Sequence, residues 1–232
     1  MTGGSVLNSH TLFDFGPLAS EYERWYATPA GKAYDEAQKS DIGRFLEPAL
    51  HGARLLDVGC GTGHWSRFFA SLGYRVVGID ISEEMTQVAK ARWAFNCHFG
   101  VADVLDLPFD DHRFDVVTAM AVMEFTSDPA AGLQEMARCV THGGHMLIGT
   151  LNSRSALNQQ RLSEGKQPYA SAHLFSPEEV HSLLAPWGEV HMVDSMPGER
   201  NTRPLLPGRL GNRLSMHRGR LRGPFIVAEV RR

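Results

Sequence analysis

The chain has 232 residues, 43% hydrophobic and 21% charged, proportions that fit one folded domain and exclude a disordered, collagenous or coiled-coil chain. No apolar run approaches the roughly 18 residues a membrane-spanning helix needs, and MTGGSVLNSHTLF at the start lacks the basic and apolar regions of a secretory signal, so a soluble cytoplasmic protein is expected. The net charge of −3 conceals an asymmetry: residues 199–232 hold nine arginines against two glutamates, +7, leaving 14 bases against 24 acids elsewhere, −10.

The chain opens with helical periodicity. Leu18, Tyr22, Trp25 and Tyr26, then Ile42, Phe45, Leu46 and Leu50, recur at helical spacing, and Pro29 and Gly31 divide residues 18–50 into two short helices. From Ala53 short β-rich runs alternate with helical patterns. Strands are predicted over 54–58, 75–79, 97–101, 114–119 and 145–150, and helices over 64–72, 82–93 and 129–140. Strands joined by crossover helices specify a mostly parallel sheet covered on both faces, a doubly wound α/β domain. A polar stretch follows Leu151, then Ser176-Pro177-Glu178-Glu179 opens a helix to about Ala185. Two late strands, 189–194 and 224–230, bring the count to seven, with an arginine-rich, Pro/Gly-punctuated loop at 198–223 between them. Residues 1–50 read as a helical leader of the same domain as 51–232, and 151–175 as an insertion on the substrate side.

Cys60, Cys97 and Cys139 have no C-x-x-C spacing, and the eleven histidines are scattered, so neither a disulfide framework nor a metal site is expected. The most informative segment is Leu55-Leu56-Asp57-Val58-Gly59-Cys60-Gly61-Thr62-Gly63-His64, a strand entering a glycine-rich turn and then a helix. Such a turn lets a ligand approach the backbone, and the helix start presents free N–H groups. A dinucleotide fingerprint G-x-G-x-x-G would need glycine where His64 stands, which disfavours NAD without excluding it. Asp80 closes the second strand 17 residues past Gly63, where a carboxylate can accept from both hydroxyls of a ribose. Alone, it would read as a cap for the following helix.

Taken with Ala102-Asp103-Val104 after the third strand, Phe114-Asp115-Val116-Val117, Glu135-Met136-Ala137-Arg138 and Gly143-Gly144, these motifs resemble the class I S-adenosylmethionine (SAM)-dependent methyltransferases. The similarity covers residues 53–151 in order. It is strongest to the small-molecule enzymes that include those of ubiquinone and menaquinone biosynthesis. The resemblance implies a Rossmann-like seven-stranded sheet with an N-terminal helical lid, SAM as cofactor and S-adenosylhomocysteine (SAH) as product. Carried over by position, the turn at Gly59, Cys60, Gly61 and Gly63 would cradle the methionine end, with Asp57 near its amino group. Asp80 would hold the ribose, with Ile81 beside the adenine; Ala102, Asp103 and Val104 would contact the adenine, Met85 would also bind the cofactor, and Met120 would line the sulfonium. Tyr22 and Trp25 would cap the cofactor from the leader, or simply staple the leader to the sheet.

Two departures stand out: Glu124-Phe125 where relatives often have Glu-His, and Thr141-His142 where they often have Lys-Pro. Methyl transfer from a sulfonium is an in-line displacement, for which a base is needed only when the acceptor must lose a proton. No residue identifies itself as that base; Glu124 and His173 are the candidates. The acceptor is expected to be a small molecule, anionic or lipid-soluble, bound between the leader and the 151–175 insertion. The arginine-rich segment supports the rival of an RNA or DNA acceptor, but 199–223 lacks aromatic residues interleaved for base stacking, which disfavours it. A non-catalytic SAM-binding scaffold is the third reading.

Overall fold

A computed structural model describes residues 10–49, 52–197 and 221–232. The arginine-rich residues 198–220 therefore lie outside the described residues. After a 3-10 turn at Gly16–Leu18 come helices α1 (Tyr22–Ala27) and α2 (Pro29–Ile42). The alternating core follows: β1 (Arg54–Val58), α3 (His64–Ser71), β2 (Arg75–Asp80), α4 (Glu83–Ala91), β3 (Cys97–Val101), β4 (Phe114–Met120), α5 (Pro129–Cys139) and β5 (Val140–Leu151). Helices α6 (Ala156–Ser163) and α7 (Pro177–Leu184) precede the last strands, β6 (Val190–Ser195) and β7 (Phe225–Arg231).

The seven strands form one sheet in the order β3-β2-β1-β4-β5-β7-β6. All pairs are parallel except those made by β7, which runs antiparallel between β5 and β6. The order reverses at β1, so β1 and β4 lie side by side while the chain leaves them toward opposite edges, and a crevice opens beyond their C-terminal ends.

Alternation along the strands builds two cores. Leu55, Val116, Leu147 and Val227 face α2 and α3, packing on Ile42, Trp65 and Phe69. Leu56, Val117, Met146 and Ala228 face α5 and α7, packing on Leu133, Met136 and Leu184. Both sets are nearly solvent-free, and each fully buried large apolar side chain contributes about 1.5–3 kcal/mol. Burial on both faces is what makes the central strands read as continuous apolar runs.

Three parts of the chain differ from the sequence reading, the first being β5, which begins at Val140 rather than 145, directly after α5. In the leader the break falls at Thr28, whose hydroxyl accepts from the Gly31 N–H at 3.0 Å to cap α2, with Pro29 in its first turn. Gly31 is inside the helix: a side chain there would collide with the Trp25 carbonyl. The second helix ends at Ile42, and Phe45 and Leu46 are buried beyond it without extending it. Helix α6, in the stretch read only as polar, has Asn158 as its buried residue. The Asn158 amide donates to the Asn152 carbonyl at 3.0 Å and the Pro224 carbonyl at 2.7 Å. Among the described residues, no helix is long and apolar enough to cross a membrane.

Candidate functional site

The turn after β1 is fixed by its own backbone. The Cys60 N–H donates to the Ile79 carbonyl at 2.8 Å and the Gly63 N–H to the Cys60 carbonyl at 2.9 Å. Gly59 and Gly61 have φ of +64° and +53°, in the left-handed region open to glycine, but their surroundings differ. A Cβ on Gly59 would lie 2.3 Å from a Val122 methyl, whereas one on Gly61 would meet nothing nearer than the Met85 sulfur at 4.0 Å. Gly59 is there for packing, as is Gly63 against Phe99. Gly61 leaves its backbone open to the crevice. Gly61→Ala is therefore expected to lower stability by about 1 kcal/mol through its backbone conformation and to weaken SAH binding by occupying the approach, measured by denaturant unfolding and calorimetry.

Asp80, at the tip of β2, ties this turn to the next helix. One carboxylate oxygen accepts from the Gly61 N–H at 2.8 Å and the other from the Ser82 N–H at 2.9 Å. The cap of α4 is Ser82, whose hydroxyl accepts from Met85 N–H at 3.2 Å. Burial raises the Asp80 pKa, opposed by the N–H groups of Ser82, Gly61 and Ile81. Asp57 sits behind the turn, 1% exposed, accepting from the Ser66 hydroxyl at 2.6 Å and the Thr118 hydroxyl at 3.1 Å. Its carboxyl is pushed up to about 7 by burial, against those two hydrogen bonds and helped by the charge of Asp80.

A cavity of about 240 Å³ opens at the strand ends. Its floor is Val58, Gly59, Gly61, Asp80, Ile81 and Met85; Ala102, Asp103 and Val104 close one side, and Met120 and Ala121 the other. Its roof was absent from the sequence reading: His10, Thr11, Phe13, Asp14 and Phe15. That segment is held by a bridge from Thr11 to Thr126, by Leu12 N–H donating to the Phe125 carbonyl at 2.7 Å, and by His10 Nδ1 at 2.5 Å from an Asp103 oxygen. Ala121 has φ +58°, a strained conformation for a residue with a Cβ. It lies at the turn where the chain leaves β4.

A second cavity, about 390 Å³, adjoins the first and shares Phe15, Tyr22, Ala121 and Phe125 with it. Its other walls come from the leader (Trp25, Tyr26, Tyr34), from Trp65 and from the insertion (Arg161, Gln167, Pro168, Tyr169). Phe125 is thus an aromatic wall of both. The leader is latched over the turn by Glu23, which accepts from the Thr62 hydroxyl and an Arg67 nitrogen, both at 2.7 Å, and pairs with Arg92 at 2.9 Å. Burial pushes the Glu23 carboxyl up, but these partners outweigh it and leave it below its usual pKa. Stability from Glu23 is accordingly present above the pKa of an unfolded glutamate and lost as pH falls through the lower folded value. Glu23→Ala is expected to cost about 1 kcal/mol and to speed amide exchange in α1, read by hydrogen–deuterium exchange.

Of the predicted cofactor residues, Tyr22, Gly59, Gly61, Asp80, Ile81, Met85, Ala102, Asp103, Val104 and Met120 all line the first cavity. Trp25 lines the second. Asp57, Cys60 and Gly63 shape the turn from behind without lining either. Neither base candidate lines either of these two cavities: Glu124 is fully buried against β5, and the His173 side chain is 56% exposed beside Glu179. The first cavity suits SAM by its donor and acceptor chemistry. Acceptor carboxylates stand at the ends of β2 and β3, apolar Ile81, Met85 and Val104 lie between them, and the Gly61 backbone is bare.

Comparison with known proteins shows the family. A family model described as a methyltransferase domain matches residues 56–148. The malonyl-[acyl-carrier protein] O-methyltransferase of Hamiltonella defensa is 31% identical over 224 residues, 93% of this chain and 84% of that protein. The ubiquinone biosynthesis O-methyltransferase of Alkalilimnicola ehrlichii is 41% identical over 108 residues, 44% of this chain and 43% of that protein, so this match spans under half of the relative. The crystal structure of a SAM-dependent methyltransferase from Thermotoga maritima shares the fold with a TM-score of 0.70 at 23% identity, over 94% of this chain and 97% of that one. The chain belongs to the class I SAM-dependent methyltransferases, and SAM is its cofactor.

Proposed function

We propose that the first cavity holds SAM and the second a small-molecule acceptor, and that the chain carries the methyl group across their shared wall. The observation that carries this reading is that Phe15, Tyr22, Ala121 and Phe125 line both cavities. Bound SAM supplies a methyl activated by its sulfonium; the protein must set the acceptor atom in line, about 3–3.5 Å away, and keep water out. In this reading Asp80 and Asp103 receive the ribose hydroxyls and the adenine amine, the Gly61 backbone faces the methionine end, and residues 10–15 roof the site. Phe15 and Phe125, with ring centroids 4.9 Å apart, exclude water at the junction.

The Tyr22 hydroxyl is pushed up to about 12 by burial, against a hydrogen bond with Tyr26. It stays protonated at neutral pH and orients an acceptor rather than taking its proton. Proton removal is left to solvent or to an acceptor already ionised. The names of the two relatives, a malonyl-[acyl-carrier protein] O-methyltransferase and a ubiquinone biosynthesis one, favour a non-nucleic-acid acceptor, and the described lining of the second cavity contributes one cation, Arg161.

The test is a calorimetric titration with SAH, followed by transfer from methyl-labelled SAM to a small-molecule extract and to bulk RNA. One molecule of SAH per chain and label in the low-molecular-weight fraction are expected. Label in RNA, or binding with no transfer to either, contradicts the reading.

A further inference from the structure

We infer that the acceptor is a flat aromatic molecule carrying an anionic group, and that Arg161 is the residue that selects it. The inference deepens the proposed function and rests on it. It begins with how α6 is placed. This helix has no apolar stripe; its rotation is set by the Asn158 amide, bound to the Asn152 and Pro224 carbonyls. Residues three apart on a helix share a face, so fixing Asn158 also brings Arg161 round to the second cavity, where it lines the wall beside Gln167, Pro168 and Tyr169.

The walls opposite are aromatic: Phe15, Trp25, Tyr26, Tyr34 and Phe125, with Tyr169 on the α6 side. Such rings take flat ligands in stacked or edge-on contact. Ring faces by themselves attract cations too, so the charge in the wall decides between ligand classes. Arg161 is half-buried, its guanidinium 4.6 Å from the centre of the Tyr169 ring, and among the described residues its side-chain hydrogen bond is a long 3.5 Å contact to Asn158 Oδ1. Several other partly buried arginines have carboxylates, Arg67 with Glu23, Arg138 with Glu135 and Asp111, and Arg154 with Glu178, while Arg232 is held by backbone carbonyls. The acid in the same lining, Glu21, is 62% exposed and paired with Arg24. A half-buried guanidinium in a cavity wall gains most from an anion that it can grip with two parallel N–H groups.

Arg161 lines the second cavity and not the first. In this inference the anion is held within the second cavity, and the methyl-accepting atom lies at the wall shared with the first. The acceptor class that follows is an aromatic acid with its nucleophilic atom elsewhere on the ring system.

The experiment titrates SAH-loaded protein with 2-naphthoate, 2-naphthamide and 2-naphthylmethylammonium, three probes of similar shape and different charge. The acid is expected to bind about tenfold more tightly than the amide, with the ammonium weakest. In Arg161→Met that preference disappears while amide and SAH binding hold, and Arg161→Lys keeps part of it. Equal binding of acid and amide by the parent protein, an acid preference that survives Arg161→Met, tighter binding of the ammonium, or binding of none of the three overturns the inference. The SAH titration separates the two levels. Normal SAH binding without acid preference removes this inference alone, whereas absence of SAH binding removes the cofactor placement beneath it.

Discussion

Asp80→Ala is expected to weaken SAM binding by about 1–3 kcal/mol, the cost of leaving ligand hydroxyls without their acceptor. The substitution acts twice. It removes the carboxylate that faces the cavity, and it releases the Gly61 and Ser82 N–H groups that Asp80 holds at 2.8 and 2.9 Å, loosening the turn on one side and the start of α4 on the other. Asp80→Asn separates these effects, because its amide oxygen can still accept from one of the two N–H groups while the charge is gone. The pH dependence has a defined sign. Burial already raises the Asp80 pKa, and ribose hydroxyls donate best to the ionised form, so SAM affinity falls as pH drops through the range where Asp80 protonates. Calorimetry on both variants checks this; parental affinity in Asp80→Ala would remove Asp80 from the site.

Glu124→Ala is expected to lower stability by about 2–4 kcal/mol, the largest loss in the set, by opening a cavity and leaving an N–H unpaired. Glu124 is 0% exposed. One of its oxygens accepts from the Thr150 hydroxyl at 3.0 Å and the other from the Leu151 N–H at 3.1 Å, so the carboxyl clamps the turn bearing Phe125 to the end of β5. It lines neither cavity, and its contacts are those of a clamp. Burial pushes its pKa up to about 7, against those two donors. The folded protein therefore holds this proton up to about pH 7, while the unfolded chain releases it near the ordinary glutamate value. Between those limits the folded state binds more protons, so this contribution to stability is full at low pH and declines as pH rises toward 7. Asp57, also raised to about 7, acts in the same direction. Glu124→Gln keeps an acceptor for the Leu151 N–H and cannot titrate, so its stability should fall less than the parent's between pH 5 and 8 in denaturant unfolding. Parallel pH profiles would contradict the assignment.

The central sheet was legible because burial on both faces and crossover helices leave a strong periodic trace: β1 through β4 begin and end within about one residue of their sequence-derived positions. The strand-tip acids were legible for a different reason, since a carboxylate ending an apolar strand has few structural uses. Other features left no such trace. The roof residues from His10 to Phe15 carry no regular structure, and they join the site through long-range contacts with Thr126, Phe125 and Asp103. Helix α6 escaped because an asparagine, not an apolar stripe, fixes it. Ala121 looks ordinary in sequence, and its φ of +58° follows from the tertiary turn at the end of β4. The glycine turn illustrates the limit within a correct reading: three glycines were identified, but only the neighbours Val122 and Phe99 show that Gly59 and Gly63 serve packing, while Gly61 faces open space.

The charge split is partly accounted for. Several acids of the negatively charged body have fixed local tasks, Glu23 latching the leader, Asp80 the turn and Asp57 the base of the site. Arg161, outside the basic segment, is the cation the described residues place against a cavity. The basic residues 199–220 lie outside the described residues.

The central claim is that two adjoining cavities meet at Phe15, Tyr22, Ala121 and Phe125, with the cofactor on the Asp80 side. A structure of the protein with SAH bound tests it most directly. The account predicts the ribose on Asp80, the adenine beside Ala102, Asp103 and Val104, and the sulfur facing the second cavity between Tyr22 and Ala121. SAH bound elsewhere, or with its sulfur turned away from that junction, would contradict it.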